Sequence, residues 1–176
     1  MRRRLFVGFV VLQALVLVGW AASLEQARAR ATLVRLEIAP LDPRDLLRGD
    51  YIVLSYAIST LPESQLVGRR PEWSDAGRPI YVALAPRDGR HVAVAASLER
   101  EALSSGGNQR LIVGRLRGAG GRASGGPRGV EYGIEQYYVP EGKGTLPPGR
   151  MEAEVALTVD GRAFLTRLFV DGKPHP

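Results

Sequence analysis

The stretch EAEVALTVDGRAFLTRLFV, residues 152–170, decides the fold, because two runs of alternating apolar residues flank an Asp-Gly step. An Asp-Gly pair between such runs is the strongest short-range signal of a β-hairpin. We expect strands over Glu152–Val159 and Arg162–Val170, joined by a two-residue turn. The resulting register pairs Leu157 with Phe164, Val155 with Thr166, Ala153 with Leu168 and Glu154 with Arg167, the last as an opposite-charge pair.

Other short runs with a period of two predict further strands. They cover Leu33–Ile38, Tyr51–Ile58, Ile80–Ala85, His91–Ser97, Leu111–Leu116 and Val130–Val139. Residues 59–79 predict a long surface loop, and residues 118–129 predict a flexible glycine loop, because both are rich in turn formers. We expect a mainly β domain of seven to eight antiparallel strands, arranged as a barrel or a sandwich, since either one limits free strand edges.

A second hairpin is predicted around Arg87-Asp88-Gly89, and two registers compete for it. A two-residue loop pairs Leu84 with Ala93 and Ala83 with Val94, which places the larger apolar side chains on both faces. A three-residue loop pairs Leu84 with Val92 and Val82 with Val94, which collects them on one face. We expect the three-residue loop, since a buried face selects the register.

The N-terminal residues 5–22, LFVGFVVLQALVLVGWAA, contain Gln13 as the only polar residue. A helix of this length spans about 30 Å, the thickness of the hydrocarbon core of a membrane. Arg2–Arg4 favour a cytoplasmic N-terminus. The sequence therefore predicts a transmembrane anchor and short stalk over residues 1–30, with residues 31–176 as an extracytoplasmic β domain. A cleaved signal peptide and a buried core helix are the alternatives.

The net charge of +6 does not indicate nucleic-acid binding. Without the three arginines at the N-terminus, 21 basic and 18 acidic residues remain, and they are spread along the chain. A nucleic-acid-binding surface is expected to concentrate basic residues on one face. We therefore expect no nucleic-acid partner.

Cysteine is absent, and the only histidines are His91 and His175. The composition excludes disulfides, thiol nucleophiles and cysteine-ligated zinc. It also leaves too few histidines for a multi-histidine metal site. We predict no metal and no cofactor.

Residues 49–56 read GDYIVLSY and fit the pattern G-D-Y-x-x-L-x-Y through Gly49, Asp50, Tyr51, Leu54 and Tyr56. Together with a second segment, YGIEQYYVPEGKG at residues 132–144, this stretch resembles the bacterial GDYXXLXY family. The resemblance implies a small membrane-anchored protein of unknown function, often encoded beside multi-pass membrane proteins. It implies no catalytic residue.

The residue types of the two motifs also permit a physical interpretation. In one strand, Leu54 and Tyr56 share a face with Ile52 and Ile58, so we expect both to be core residues. In the second segment, alternation puts Val130, Tyr132, Ile134, Gln136 and Tyr138 on one face. It puts Glu131, Glu135 and Tyr137 on the other. A sharper hypothesis brings six motif residues to one barrel rim as a binding site: Asp50, Tyr51, Glu135, Tyr137, Glu141 and Lys143.

Three functions are compatible with these features. The first is a binding or accessory subunit for a multi-pass protein of the bacterial cytoplasmic membrane. The others are an envelope hydrolase and a small-ligand sensor, both using the region of Asp50, Glu135 and Glu141. Because no catalytic nucleophile stands out, we expect the accessory subunit. The sequence does not identify the partner, the ligand or the oligomeric state.

Overall fold

The computed structural model describes residues 2–39, 51–103, 106–118, 128–138 and 149–175. Helix α1 spans Arg2–Ala29 and includes an apolar stretch, Phe6–Ser23, that is long enough to cross a membrane. No part of this stretch is buried against the rest of the protein. The core-helix alternative is therefore wrong, and a membrane anchor or a signal sequence remains.

Eleven strand segments follow the helix within the described ranges. They are β1 Thr32–Glu37, β2 Tyr51–Val53, β3 Thr60–Leu61, β4 Pro79–Arg87, β5 Arg90–Ser97, β6 Arg110–Leu116, β7 Arg128–Glu131, β8 Gln136–Tyr138, β9 Met151–Leu157, β10 Ala163–Val170 and β11 Lys173–His175. The predicted count of seven to eight is lower because the predicted strand Val130–Val139 is split into β7 and β8 and because β3 and β11 were not predicted.

The strands form two main antiparallel sheets around one core, as the alternating pattern predicts. One sheet has the order β1-β9-β10-β11 and the other β3-β7-β6-β4-β5, with β2 and β8 as a separate pair. An antiparallel bridge between Ile38 and Tyr56 extends β1 toward the β2 segment, and β5 lies against β1. Both sheets therefore contribute side chains to a single cluster of buried apolar residues.

Both long motif strands are shorter than predicted. Within the run Tyr51–Ile58, strand β2 ends at Val53, and a 3₁₀ turn occupies Ala57–Ser59. The run Val130–Val139 breaks between β7 and β8, where Gly133 has a φ of +78°. Glycine adopts this left-handed conformation without a steric cost, so the strand can turn there.

The break at Gly133 also changes which side chains face the core. Tyr132 and Ile134 are buried as predicted, but Gln136 is exposed and Tyr137 packs against the core. The predicted face assignment is therefore wrong beyond Ile134. Strict alternation holds only while a strand is continuous.

Both hairpins that the sequence predicts contain a register shift that the sequence did not predict. In β4–β5, Arg87 pairs with Arg90 and Leu84 with Ala93, so the loop has two residues and the expected three-residue loop is wrong. Asp88 and Gly89 have φ values of 51° and 76°, as a type I′ turn requires. A shift between Ala83 and Leu84 then pairs Ala83 with Ala95, which leaves Val94 outside the pairing.

In β9–β10, the predicted pairs Glu154–Arg167 and Ala153–Leu168 are confirmed. The predicted partners of Leu157 and Val155 are wrong, because these residues lie opposite Ala163 and Leu165. The connection between the paired strand ends, residues 158–162, is longer than the expected two-residue turn, and a register shift between Leu165 and Arg167 restores the predicted pairing.

The predicted surface loop over residues 59–79 is organised by a buried carboxylate. Asp75 is 3% exposed and accepts hydrogen bonds from Arg69, Arg78 and the backbone N–H of Glu72, at 2.7, 2.9 and 2.7 Å. These donors hold the pKa of Asp75 well below its usual range. Within the predicted glycine loop, residues 119–127 lie outside the described part of the chain.

Candidate functional site

The two motif segments lie side by side in the fold. Strands β2 and β8 pair so that Tyr51 lies opposite Tyr138 and Val53 opposite Gln136. Past the end of β2, the backbone N–H of Leu54 donates to the carbonyl of Glu135 at 2.6 Å. The backbones of the two motif segments are thus hydrogen-bonded to each other, so the segments lie close together as predicted.

The motif tyrosines connect the segments through their side chains. The hydroxyl of Tyr56 donates to the carbonyl of Ile134 at 2.7 Å, and the hydroxyl of Tyr132 donates to the carbonyl of Ile58 at 2.7 Å. Ile58 lies in a 3₁₀ turn and Ile134 in the break after Gly133, so neither residue belongs to a strand. Each phenol therefore provides a buried backbone carbonyl with the partner that it needs.

Glu135 is the charged residue at this junction. Its side chain is half-buried, and its Oε1 accepts a hydrogen bond from the backbone N–H of Tyr132 at 2.5 Å. Burial raises the pKa of both Tyr56 and Tyr132 far above the usual phenol range, and the negative charge of Glu135 raises it further. Both phenols consequently stay protonated and act as hydrogen-bond donors at any physiological pH.

Two clefts flank Gly133. The first, the Glu135 cleft, has a volume of about 310 Å³. It is lined by the backbone turn at Gly133 and by Val113, Arg115, Glu131, Tyr132 and Glu135. Glu131 pairs with Arg117 at 2.6 Å, so one of the two carboxylates in this cleft has a cationic partner.

The second cleft, the Leu33 groove, is larger and more open, with a volume of about 540 Å³. It lies between the β1-β9-β10 sheet and the segment after Gly133. Its lining includes Leu33, Ile134, Ala156, Phe164 and Thr166. Leu33, Ala156 and Phe164 lie opposite one another on adjacent strands and form a row across the sheet.

The structure places some of the predicted site residues and leaves others outside its described ranges. Leu54 and Tyr56 are buried, which confirms them as core residues, and Tyr132 is buried as well. Glu135 and Tyr137 are half-buried near the β2–β8 pair, and Tyr51 is described by its backbone pairing. Outside the described residues lie Gly49, Asp50, Glu141 and Lys143. The rim that joins all six charged and phenolic residues therefore stays a prediction.

Sequence reasoning did not identify the Leu33 groove. Leu33 and Phe164 were assigned to strands, but their pairing through Ala156 depends on the long turn and the bulge of the β9–β10 hairpin. The signal that could have indicated the groove was an apolar residue on the solvent-facing side of a strand. Leu33 is such a residue, and it is 56% exposed. Among the described residues, no group of three or more histidines and acids is placed to hold a metal ion.

The family comparison agrees with the motif. The model of the GDYXXLXY protein family matches residues 13–168, which is most of the chain and includes both motif segments. Comparisons with curated proteins and with solved structures found no match. By this match, and by the paired motif segments at its centre, the chain belongs to the GDYXXLXY protein family.

Proposed function

We propose that this chain is an accessory subunit of a multi-pass protein in the bacterial cytoplasmic membrane. Helix α1 anchors it in a single pass with the N-terminus inside, and the β domain lies on the extracytoplasmic side. The observation that carries the proposal is that no residue of Phe6–Ser23 is buried, while the β domain has a core of its own. Such an apolar helix requires either a membrane or a protein partner to cover it.

The distribution of charge supports the proposed direction of insertion. Arg2, Arg3 and Arg4 precede the apolar stretch, and the positive-inside rule keeps them in the cytoplasm. Trp20 lies near the other end of the stretch, where interfacial aromatic residues are favoured. Both features support the proposed extracytoplasmic location of the β domain.

The Leu33 groove is the docking surface that we assign to the partner. Strand β1 begins at Thr32, close after α1 ends at Ala29, so the groove is near the end of the anchor. The next row on the same sheet face is Arg35, Glu154 and Arg167, which is charged throughout. Farther along this face, Phe169 is buried beneath the guanidinium of Arg35. The exposed apolar row therefore lies at the end nearest the helix, where a multi-pass protein in the same membrane is within reach.

The hydrolase and the sensor are not proposed. Glu135, the one acid of their shared region in the described residues, already accepts a backbone hydrogen bond. No contact among the described residues favours either activity.

Site-specific photo-crosslinking in native membranes tests the docking surface. A photoreactive residue replaces Leu33 in the full-length chain, and a second version carries it at Val94 on β5. Leu33 and Val94 are both exposed apolar strand residues, at 56% and 40%, so they form a matched pair. We expect position 33 to crosslink one multi-pass membrane protein at high yield and position 94 to give no such product.

Equal crosslinking of that protein from both positions would place the contact elsewhere. Recovery of no multi-pass protein from position 33 in intact membranes would overturn the accessory-subunit proposal. A Leu33→Ser variant extends the test, because it should reduce co-purification of the partner while Val94→Ser leaves it unchanged.

A further inference from the structure

The tip of the β9–β10 hairpin has an exposed apolar side chain. Val159 is 82% exposed, more than any other large hydrophobic residue recorded as exposed in the described ranges. It is followed by Asp160 and Gly161, and these three residues are the Val159 tip. A solitary exposed valine is common on protein surfaces, so its meaning depends on what surrounds it.

The tip is held rigidly. The N–H of Gly161 donates to the carbonyl of Thr158 at 2.9 Å, and the N–H of Arg162 donates to the hydroxyl oxygen of Thr158 at 3.0 Å. The same hydroxyl donates to Asp160. Gly161 has a φ of +90°, and a Cβ there would lie 2.8 Å from Val113 Cγ2, so glycine is required. The valine is therefore presented by a fixed turn.

The tip lies beside the end of the anchor. A cleft of about 390 Å³ separates them, with Ser23, Gln26 and Arg30 on the helix side and Thr158, Val159 and Asp160 on the other. Ser23 is the last residue of the apolar stretch. If that stretch spans the hydrocarbon core, the tip is level with the lipid headgroups.

Arginines surround the tip at the same level. Arg30 and Arg100 line the cleft, and Arg100 Nη2 donates to the carbonyl of Val159 at 3.2 Å. Arg162 pairs with Asp160 at 3.0 Å, which compensates the tip's own negative charge. Guanidinium groups bind phosphate through paired N–H donors, so Arg30 and Arg100 suit the phosphates that all phospholipids carry.

We propose that the Val159 tip is a second membrane contact, in which Val159 enters the interfacial layer while Arg30 and Arg100 bind lipid phosphates. This inference rests on the proposed anchoring of α1, but not on the partner protein. One transmembrane helix leaves a domain free to rotate and tilt above the bilayer. A second contact fixes its orientation, and it holds the Leu33 groove just above the membrane surface.

Fluorescence quenching tests the contact in the full-length chain. Because the chain has no cysteine, Val159→Cys gives a single labelling site. Asp88→Cys is the matched control, since Asp88 is also at a hairpin turn. Arg90, two residues after Asp88, forms an ion pair with Glu37, the last residue of β1. The Asp88 turn therefore lies at the end of β1 that is far from the helix. Each variant carries an environment-sensitive fluorophore and is reconstituted into nanodiscs of phosphatidylethanolamine and phosphatidylglycerol, with or without headgroup spin-labelled lipid.

We expect blue-shifted emission and strong quenching at position 159, and water-like emission with little quenching at position 88. Equal, weak quenching at both positions would overturn the proposal. The Arg100→Gln variant should reduce quenching at position 159, whereas Arg87→Gln, near the distal turn, should not. An equal effect of both substitutions would overturn the role of Arg100.

A third label separates this inference from the anchoring on which it rests. Leu15→Cys lies in the middle of the apolar stretch of α1, and acyl-chain spin labels should quench it strongly. If position 15 is not quenched, the anchoring fails and so does the proposed function. If position 15 is quenched and position 159 is not, only the second contact fails.

Discussion

The hydroxyl of Tyr56 binds the carbonyl two residues after Tyr132, and the hydroxyl of Tyr132 binds the carbonyl two residues after Tyr56. Each tyrosine thereby stabilises, through one hydrogen bond, the irregular backbone segment that follows the other tyrosine. The last tyrosine of the G-D-Y-x-x-L-x-Y pattern has a structural task, which is to join the first motif segment to the second. The described end of the motif, Leu54–Tyr56, therefore marks a junction in the core.

Removing either hydroxyl should destabilise the domain. Tyr56→Phe and Tyr132→Phe each leave a buried carbonyl without a donor, and we expect each to lower the free energy of unfolding by about 1–3 kcal/mol. Chemical denaturation of the full chain in detergent measures this. Tyr81→Phe is the control, because the Tyr81 hydroxyl has no hydrogen-bond partner in the described ranges. Wild-type stability of the Tyr56→Phe variant would contradict the structural role assigned to the Tyr56 hydroxyl.

The same phenols predict a loss of stability in alkali. Their folded-state pKa values are raised above the unfolded value of about 10, so their contribution is complete below pH 10 and decreases as the pH rises further. Above pH 10 the free energy of unfolding should fall by about 1.4 kcal/mol per pH unit for each phenol. Denaturation at a series of pH values measures the slope, which the double variant Tyr56→Phe/Tyr132→Phe should flatten. An unchanged slope in that variant would refute the prediction.

Glu135 should matter for its acceptor oxygen more than for its charge. Glu135→Ala removes the acceptor of the Tyr132 N–H and should cost about 1–2 kcal/mol of stability. Glu135→Gln keeps an oxygen in place and should retain most of the wild-type stability. Glu131→Ala, which breaks only the exposed pair with Arg117, should cost about 0.5 kcal/mol or less. Thermal unfolding of the three variants ranks them, and a larger loss for Glu131→Ala than for Glu135→Ala would reverse the interpretation.

Gly114 on β6 should tolerate no side chain. A Cβ there would lie 2.3 Å from Val130 Cγ1 and 2.8 Å from the carbonyl of Glu131. We expect Gly114→Ala to destabilise the domain by about 1–3 kcal/mol or more through overpacking. At Gly118 the nearest atom is 3.7 Å away, so Gly118→Ala is the matched control and should be close to neutral. Similar denaturation midpoints for the two variants would contradict the described packing of β6 against β7.

The sequence predicts the parts of this fold that repeat along the chain. Apolar alternation located β1, β4, β5, β6, β9 and β10, and the length of the apolar run located the exposed stretch of α1. The burial of Leu54 and Tyr56 followed from the same alternation, although the strand itself ends at Val53. A side chain is buried when it lies on the side of the chain that faces the core. The same side of the chain continues to face the core through the short irregular segment after Val53.

Apolar alternation does not predict where a single residue interrupts the pairing of two strands. Val94 and Thr166 each lie at a register shift, and nothing distinguishes them from other strand residues in the sequence. The reciprocal hydrogen bonds of Tyr56 and Tyr132 were equally unpredictable, because both accepting carbonyls, those of Ile134 and Ile58, lie outside regular strands. The Leu33 groove depends on the β9–β10 shift as well, so it became visible only in three dimensions.

The pairing of β1 with β9 has a consequence for biogenesis. The first strand after helix α1, Thr32–Glu37, has as its partner Met151–Leu157, which comes much later in the chain. Because synthesis proceeds from the N-terminus, Val34 and Leu36 are covered only after β9 has been made. Folding of the domain therefore depends on the synthesis of β9, and a chain that stalls or is truncated before β9 leaves β1 with an unpaired edge that can pair with another chain.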